Sequence, residues 1–488
     1  LQRKHKIIKG AVFLLLGKIS NFIIEALQIF LIPRLLGPKN MGFYSYWLSI
    51  YFIIARVLGL GGQYIIIKYV PELRIKNKFM IPSLIKKVIW MKLPLFLFIM
   101  GIGILYWPNE LPYFMIIALA ALLFSLNLAG ESILYSYNWM GTYALIPIIR
   151  IASRTVLVIF LFYFFYATGI ILGLFAAPLI AFLLSLFLSF RLMPRNQIAL
   201  DRPFRKYFSF GFWLYMSQAI QGMLVWLITI LSKMSIDDMA VVGYFGVGVQ
   251  ICFSVILLVY FINESILPSL VEFHVFDENK FKDSLRYAWK YTNILLFPVI
   301  LGGYVLAEPI IAFLVGRDYV PGTLIIKLFL PSVIFFSWIR FHNQVLFVYE
   351  KKIAIFLTQL INLSVFLGAW FYMMRLHKFD LAPLSLSLGA LLAYLFILFH
   401  SNKVEKVENY FAHFLKPFMA ASLMALVVRF LKVNSVTQLF LTALVALLLY
   451  GLFLFLFRGI GKEDFSILKE FLKSVKISGM DKNRFREP

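Results

Sequence analysis

At 488 residues, 62% hydrophobic and 14% charged, with a mean hydropathy of +0.87, the chain carries more apolar surface than a soluble fold of this length can bury. The net charge of +24 is spread over loops between apolar runs, which is the inner-face pattern of a membrane protein and not that of a nucleic-acid-binding surface. One cysteine, Cys252, excludes an internal disulfide and a multi-cysteine metal site, and the six His form no metal-binding cluster, so no metal or other cofactor is expected.

The apolar runs are about 20 residues long and do not alternate, which predicts an all-α polytopic membrane protein instead of an outer-membrane barrel. Fourteen transmembrane helices are predicted, at about residues 10–32, 43–66, 86–107, 111–135, 144–166, 168–190, 211–232, 241–264, 288–314, 322–346, 351–374, 381–400, 415–432 and 436–457. The first run is too long for a cleavable signal peptide, and no small-residue cleavage site follows it. Yet it carries Lys18, Asn21, Glu25 and Gln28, whose spacing of 3, 4 and 3 puts them on one helix face. An ionisable group at mid-bilayer costs about 2.5–3.5 kcal/mol on insertion scales, so the stripe belongs against protein or a watery cavity. Two readings stand: Lys18 and Glu25 neutralise each other as structural glue, or the helix lines a polar cavity for something charged.

Further along, Arg56 sits in the middle of the second span, either facing a cavity or ion-paired, with Glu25 as one partner. Lys92, followed by Pro94, reads as an interfacial anchor at a helix start. Arg150 and Arg154 lie one turn apart, where side chains often reach for lipid headgroups. Gln218 and Gln221 form a polar face on the seventh span, roughly opposite the stripe of the first. Arg340 belongs to the run Arg340-Phe341-His342-Asn343-Gln344, and Gln359 and Asn362 follow on the next span. Glu25 reads as the one carboxylate inside a span of the first half.

Of the 47 Lys and Arg, 34 fall on the N-terminal side of these spans and 8 on the opposite side, which predicts that both termini are cytoplasmic. The longer basic loops, 71–87, 191–207 and 268–290, mix cations with apolar residues as interfacial helices do. The tail repeats the device with Phe465, Leu468, Leu472 and Val475 between lysines. A faint repeat relates the halves: Gly42-Phe43-Tyr44 and Gly243-Tyr244-Phe245 stand 201 positions apart, as do Gly10 and Gly211. The expected organisation is therefore a six-helix bundle over 1–207, a second over 208–400, and two further helices with a basic amphipathic tail over 401–488. Two such halves leave a cavity along their interface.

Several stretches resemble the multidrug/oligosaccharidyl-lipid/polysaccharide exporter superfamily, and within it the Wzx-type polysaccharide or O-antigen flippases. They are Ile32-Pro33-Arg34-Leu35-Leu36-Gly37-Pro38 through Gly42-Phe43-Tyr44-Ser45, then Gly59-Leu60-Gly61-Gly62 with Ile67-Lys68-Tyr69-Val70-Pro71-Glu72-Leu73, and Phe297-Pro298 through Gly316-Arg317-Asp318-Tyr319. The resemblance implies two six-helix bundles in a V, plus two C-terminal helices. It also implies transfer of an undecaprenyl-diphosphate-linked oligosaccharide across a prokaryotic cytoplasmic membrane by alternating access, with no enzymatic step. Lipid II flippases and cation-coupled multidrug exporters are the related alternatives. Membrane lipids and a membrane-embedded polysaccharide polymerase are the expected partners, and H+ or Na+ the candidate coupling ions.

Such a cargo has a polyprenyl tail, a diphosphate and a glycan, so a cavity needs cations for phosphate and amides for sugar. The candidate substrate-binding set is Lys18, Asn21, Glu25, Gln28, Arg56, Arg150, Arg154, Gln218, Gln221 and Arg340, with no catalytic group. A membrane glycosyltransferase or polymerase would need a carboxylate or His in a substantial loop. Only Asp237-Asp238, Arg317-Asp318 and the short turn before Asp380 come near that, and a turn between spans explains each as well.

Overall fold

A computed structural model describes residues 2–201, 203–407, 409–461 and 464, and the side chains of all of these except 2–16, 18, 210, 213, 214, 258, 261–269 and 275. Every regular element among them is helical, since in lipid only intra-segment hydrogen bonding or a closed barrel satisfies the backbone.

Helix α1 (Gln2–Gly59) consists of two arms joined at Gly37, whose φ of 73° and ψ of 166° are non-helical. Pro33 and Pro38 remove backbone donors on either side of this point, and Gly37 has no Cβ to oppose a positive φ. The arms run back along each other, so that Gln28 Nε2 donates to Tyr44 Oη at 2.9 Å across 16 positions. Leu60 (φ 47°) and Gly61 (φ 74°) then interrupt the helix before α2 (Gly62–Lys76). The apolar run 43–66, read as one span, is therefore broken near its end.

Next come α3 (Ile81–Trp90), α4 (Lys92–Tyr106) and α5 (Leu111–Ser136). Helix α6 (Met140–Phe190) is also folded: Tyr166, at φ 49° and ψ −128°, reverses it. Val158 and Gly173 consequently face each other, with an added Cβ on Gly173 only 2.7 Å from the Val158 Cα. Helices α7 (Phe204–Ser235), α8 (Met239–Phe276) and α9 (Glu278–Val305) follow, and Leu306 separates α9 from the short α10 (Ala307–Ile310). Then come α11 (Thr323–Val348), α12 (Lys352–Arg375), α13 (Leu384–Asn402), α14 (Tyr410–Val428) and α15 (Val436–Leu456).

Among the described residues, 11 helices are long and apolar enough to cross a membrane, or 12 if the bent pair around Leu306 counts as one span. The sequence reading expects fourteen spans, more than this count, and α1 and α6 each fold back within one helical run.

The chain gathers into two compact units, Leu1–Ser265 with Ile310–Lys406, and Ile266–Pro309 with Val407–Pro488. In the first, α5 packs on α6, α1 on α5, α6 and α7, and α13 on α11 and α12. Its fully buried side chains include Trp47, Trp370, Tyr44, Phe245 and Phe329. Gly42 and Gly243, the leading residues of the two related trios, meet there. A Cβ on Gly42 would collide with the Met239 carbonyl, and one on Gly243 with the Pro38 carbonyl.

In the second unit α9, α14 and α15 pack together. Trp289 stacks on Tyr410 at 4.1 Å and donates its indole N–H to the Tyr410 carbonyl at 3.0 Å, while Phe297 meets Phe414 and Phe418. Tyr450 Oη donates to the Ile294 carbonyl at 2.8 Å. Beyond α15, Asp464 accepts hydrogen bonds from Lys290 Nζ at 2.6 Å, Tyr291 Oη at 2.8 Å and the Gly461 amide at 2.7 Å. The amphipathic tail expected after Asp464 lies outside the described residues.

Candidate functional site

The polar stripe of the first arm of α1 meets the middle of the first arm of α6. Gln28 is 3% exposed; besides donating to Tyr44 it accepts from Arg154 Nη2 at 2.9 Å. Among the described residues, Arg154 and then Arg150 place their positive charge within reach of the Glu25 carboxylate. The oxygen of Asn21 is buried with no hydrogen-bond partner among the described residues. The Lys18 side chain lies outside them.

Arg150, half-buried, forms an ion pair with buried Glu131 of α5, and Asn127 Nδ2 donates to the same carboxylate oxygen at 2.7 Å. Glu131 corrects the expectation that Glu25 is the one carboxylate inside a first-half span. It falls near the end of the run 111–135, where the sequence reads as a rim, but α5 continues past it and packing against α6 buries it to 5% exposure.

Two aromatic rings separate this group from a second. Arg154 lies 5.7 Å over the Phe52 ring and Arg150 4.7 Å over Phe124. Phe52 and Phe124 also line a cavity of about 240 Å³, together with Arg56, Gln63, Lys92 and Tyr215. The Arg56 guanidinium rests on α7 at Gly222, where a Cβ would stand 3.0 Å from its Cζ. It has no hydrogen bond or ion pair among the described residues, and no carboxylate lines the cavity.

Lys92 overturns its reading as an interfacial anchor. It is 2% exposed, and its Nζ donates to the Leu58 carbonyl at 2.9 Å and to Ser125 Oγ at 2.6 Å. The physical reason lies in the neighbouring helix. Because α1 stops at Gly59, its last carbonyls have no intrahelical partner, and a cation there also meets the negative end of the helix dipole. Ser125 Oγ takes the Leu58 carbonyl at 3.2 Å as well, and Tyr215 Oη takes the Arg56 carbonyl at 2.6 Å. The glycines of Gly59-Leu60-Gly61-Gly62 were the available signal for this break.

Among the described residues, the polar face of α7 makes no bond to the stripe of α1. Gln218 accepts from Tyr64 Oη of α2 at 2.5 Å, and Gln221 donates to Tyr260 Oη of α8 at 2.9 Å. Arg340 of α11 lies 4.9 Å over that same Tyr260 ring, so Gln221 and Arg340 share a partner. The polar residues that follow Arg340 in its run, and Gln359 and Asn362 of α12, are core residues and not a surface fringe: His342 and Asn362 are fully buried, and Gln344 and Gln359 nearly so. The structure thus sorts the sequence candidates into three groups: Glu25, Gln28, Arg150 and Arg154; Arg56 with the unforeseen Lys92; and Gln221 with Arg340. No group of three or more metal-ligating side chains occurs among the described residues.

A family model described as polysaccharide biosynthesis protein matches residues 7–274. Among solved structures, the lipid II flippase MurJ in an inward closed conformation superposes with a TM-score of 0.62 over 91% of this chain and 98% of its own, at 16% identity. An inward-facing multidrug resistance MATE family transporter of the MOP superfamily gives 0.63 over 79% and 96%, at 12% identity. The Vibrio cholerae MATE transporter VcmN gives 0.57 over 83% and 98%, at 13% identity. No curated protein matches the chain in sequence. At these identities the structural likeness establishes the fold.

Proposed function

The chain belongs to the polysaccharide biosynthesis protein family, and from that premise we propose that it is a Wzx-type flippase. It carries an undecaprenyl-diphosphate-linked oligosaccharide across a prokaryotic cytoplasmic membrane by alternating access, without catalysing a reaction. The observation that carries this reading is the Arg56 guanidinium, set in a cavity of about 240 Å³ beside buried Lys92 and free of any lining carboxylate. A cation in that setting is electrostatically incomplete, and a diphosphate completes it with charge-assisted, bidentate bonds. Glu25, Gln28, Arg150 and Arg154 form the adjoining polar wall behind Phe52 and Phe124. Gln218, Gln221 and Arg340 then supply amides and a further cation for the glycan. The tail of the cargo stays in lipid, so the protein has only to cover the charged and hydroxylated head. The 34-to-8 partition of basic residues supports termini on the cytoplasmic side, and the related Gly-aromatic trios support two six-helix halves with two helices added. H+ or Na+ is the candidate driving ion, and a membrane polymerase the candidate partner.

The test is leaflet transfer of a fluorescent polyprenyl-diphosphate oligosaccharide in liposomes holding the purified chain. Arg56→Gln is expected to slow transfer by at least about tenfold, the equivalent of one charge-assisted hydrogen bond. Undiminished transfer in that variant removes Arg56 from diphosphate handling. Absent transfer, with cation-driven efflux of a lipophilic dye in its place, replaces the reading with a multidrug exporter.

A further inference from the structure

Away from the central cavities, a second polar hollow opens where three helices end. Helix α2 stops at Lys76, α5 at Ser136 and α6 at Phe190, and the segment 191–201 crosses between them. That segment is fixed to the interfacial helix α3. The Ile198 amide donates to the Phe79 carbonyl at 2.9 Å, and Ser83 Oγ bonds to the Ile198 carbonyl. Beneath the segment lies a pocket of about 550 Å³ lined by Arg74, Lys78 and Arg195, with Tyr137, Leu192 and Met193 among its walls and no acidic residue.

The pocket is built and not merely a crowd of surface cations. Arg74 donates to the Ser136 carbonyl at 3.1 Å and lies 4.4 Å over the Tyr137 ring, so two contacts set its guanidinium. The nearby carboxylates have partners of their own: Glu72 pairs with Lys76 at 2.7 Å, and Asp201 accepts from Tyr207 at 2.6 Å. Three cations therefore face one hollow with no carboxylate in its lining. Its surroundings are apolar and open, with Ile75 89% exposed, Phe190 64% and Ile198 47%. Such side chains at helix ends belong in the headgroup and upper acyl region of a bilayer.

We propose that this pocket holds the phosphate headgroup of an anionic glycerophospholipid from the adjoining leaflet. The cations take the phosphate, Tyr137 and the Leu192–Met193 wall take the glycerol shoulder, and the exposed rim lies against the acyl chains. A basic hollow between span ends is where headgroup recognition by charge is strongest, because the ligand is already concentrated at that depth. The proposal stands apart from the transported cargo, and its readout is lipid retention instead of flipping.

The experiment uses the full chain in nanodiscs of phosphatidylcholine with and without phosphatidylglycerol, followed by native mass spectrometry of retained lipid and thermal unfolding of the same samples. The variant Lys78→Gln/Arg195→Gln avoids Arg74 and its internal bonds; neither Lys78 nor Arg195 makes a side-chain hydrogen bond among the described residues. The wild-type chain is expected to retain phosphatidylglycerol over phosphatidylcholine. The double variant should lose apparent affinity about fivefold for each cation removed, while Arg375→Gln/Lys378→Gln, at another helix end, should not. Equal losses in both variants, or no loss in either, overturn the site as diffuse surface attraction. Stabilisation of the phosphatidylcholine sample by glycerol phosphate or inorganic phosphate to the same degree overturns the lipid assignment in favour of a soluble anion.

Discussion

The Arg150–Glu131 pair is what single residues in this chain can be expected to show most clearly. Glu131 is buried and the Arg150 side chain 15% exposed, both within one unit, and Asn127 holds the same carboxylate. Removing one member of a buried pair leaves an uncompensated charge, typically at a cost of about 3–5 kcal/mol, whereas neutralising both is far milder. Arg150→Met should therefore lower the thermal midpoint in detergent sharply, and Arg150→Met/Glu131→Gln should recover most of the loss. If the double variant is no more stable than the single, the pair is not what holds α5 to α6 there. At the other end of the chain, Asp464 offers a titration. Burial works to raise its carboxyl, but the Lys290 ammonium, the Gly461 amide and the Tyr291 hydroxyl outweigh it and hold the group below the ordinary carboxylate range. A depressed folded value contributes stability that is full above the unfolded value, near 4, and is lost as pH falls below it. Asp464→Asn should consequently destabilise the chain at pH 7, by about 2 kcal/mol for charge-assisted bonds lost. The gap to wild type should close in unfolding measurements below about pH 4.

At the scale of elements, the two folded helices make opposite demands on their turning residues. Gly37 meets its positive φ without a Cβ, but Tyr166 turns α6 at φ 49° and ψ −128° with a full side chain that is 73% exposed. A non-glycine residue held there costs about 1–3 kcal/mol, so Tyr166→Gly is expected to raise the midpoint of unfolding, a reversal of the usual effect of glycine in a helix. A lower midpoint would mean that the ring, which meets Phe162 edge-on at 6.2 Å, matters more than the backbone. The same elements show how far the sequence alone could lead. Hydropathy reveals the polar stripe of α1 because Asn21, Glu25 and Gln28 interrupt an apolar run at helical spacing. The role of Lys92 was out of reach, because it depends on a carbonyl end 34 positions earlier and on Ser125 33 positions later. Glu131 was hidden by a boundary: at a predicted span end a carboxylate looks solvated, and only the partner helix buries it. For Gln218 and Gln221 the helix face was legible, but α2 and α8, which meet it, were not.

For the whole molecule, packing joins elements far apart along the chain, α9 with α14 and α15 in one compact unit. The last two helices read as an appendage, yet α9 packs against them within one unit, through Trp289, Phe297 and the Ile294 carbonyl. A chain ending at Lys406 is expected to lose more than those two passes. With the contacts of Trp289 to Tyr410 and of Phe297 to Phe414 and Phe418 removed, at about 3–5 kcal/mol for each large aromatic contact surface lost, it should elute as aggregate in size-exclusion chromatography. A monodisperse truncated chain would show α9 to be self-sufficient.

The pairing of Trp289 with Tyr410 also has a consequence in time. Their separation is 121 residues, and synthesis at about 5–20 residues per second makes α9 wait roughly 6 to 24 seconds for α14. During that interval the contacts of Trp289 and Phe297 with α14 are unmade, and lipid or the insertion machinery occupies the place that α14 will take. A ribosome that stalls between these two points leaves the α14-facing aromatic side of α9 uncovered in the bilayer, a mark by which quality control can tell an unfinished chain from a finished one.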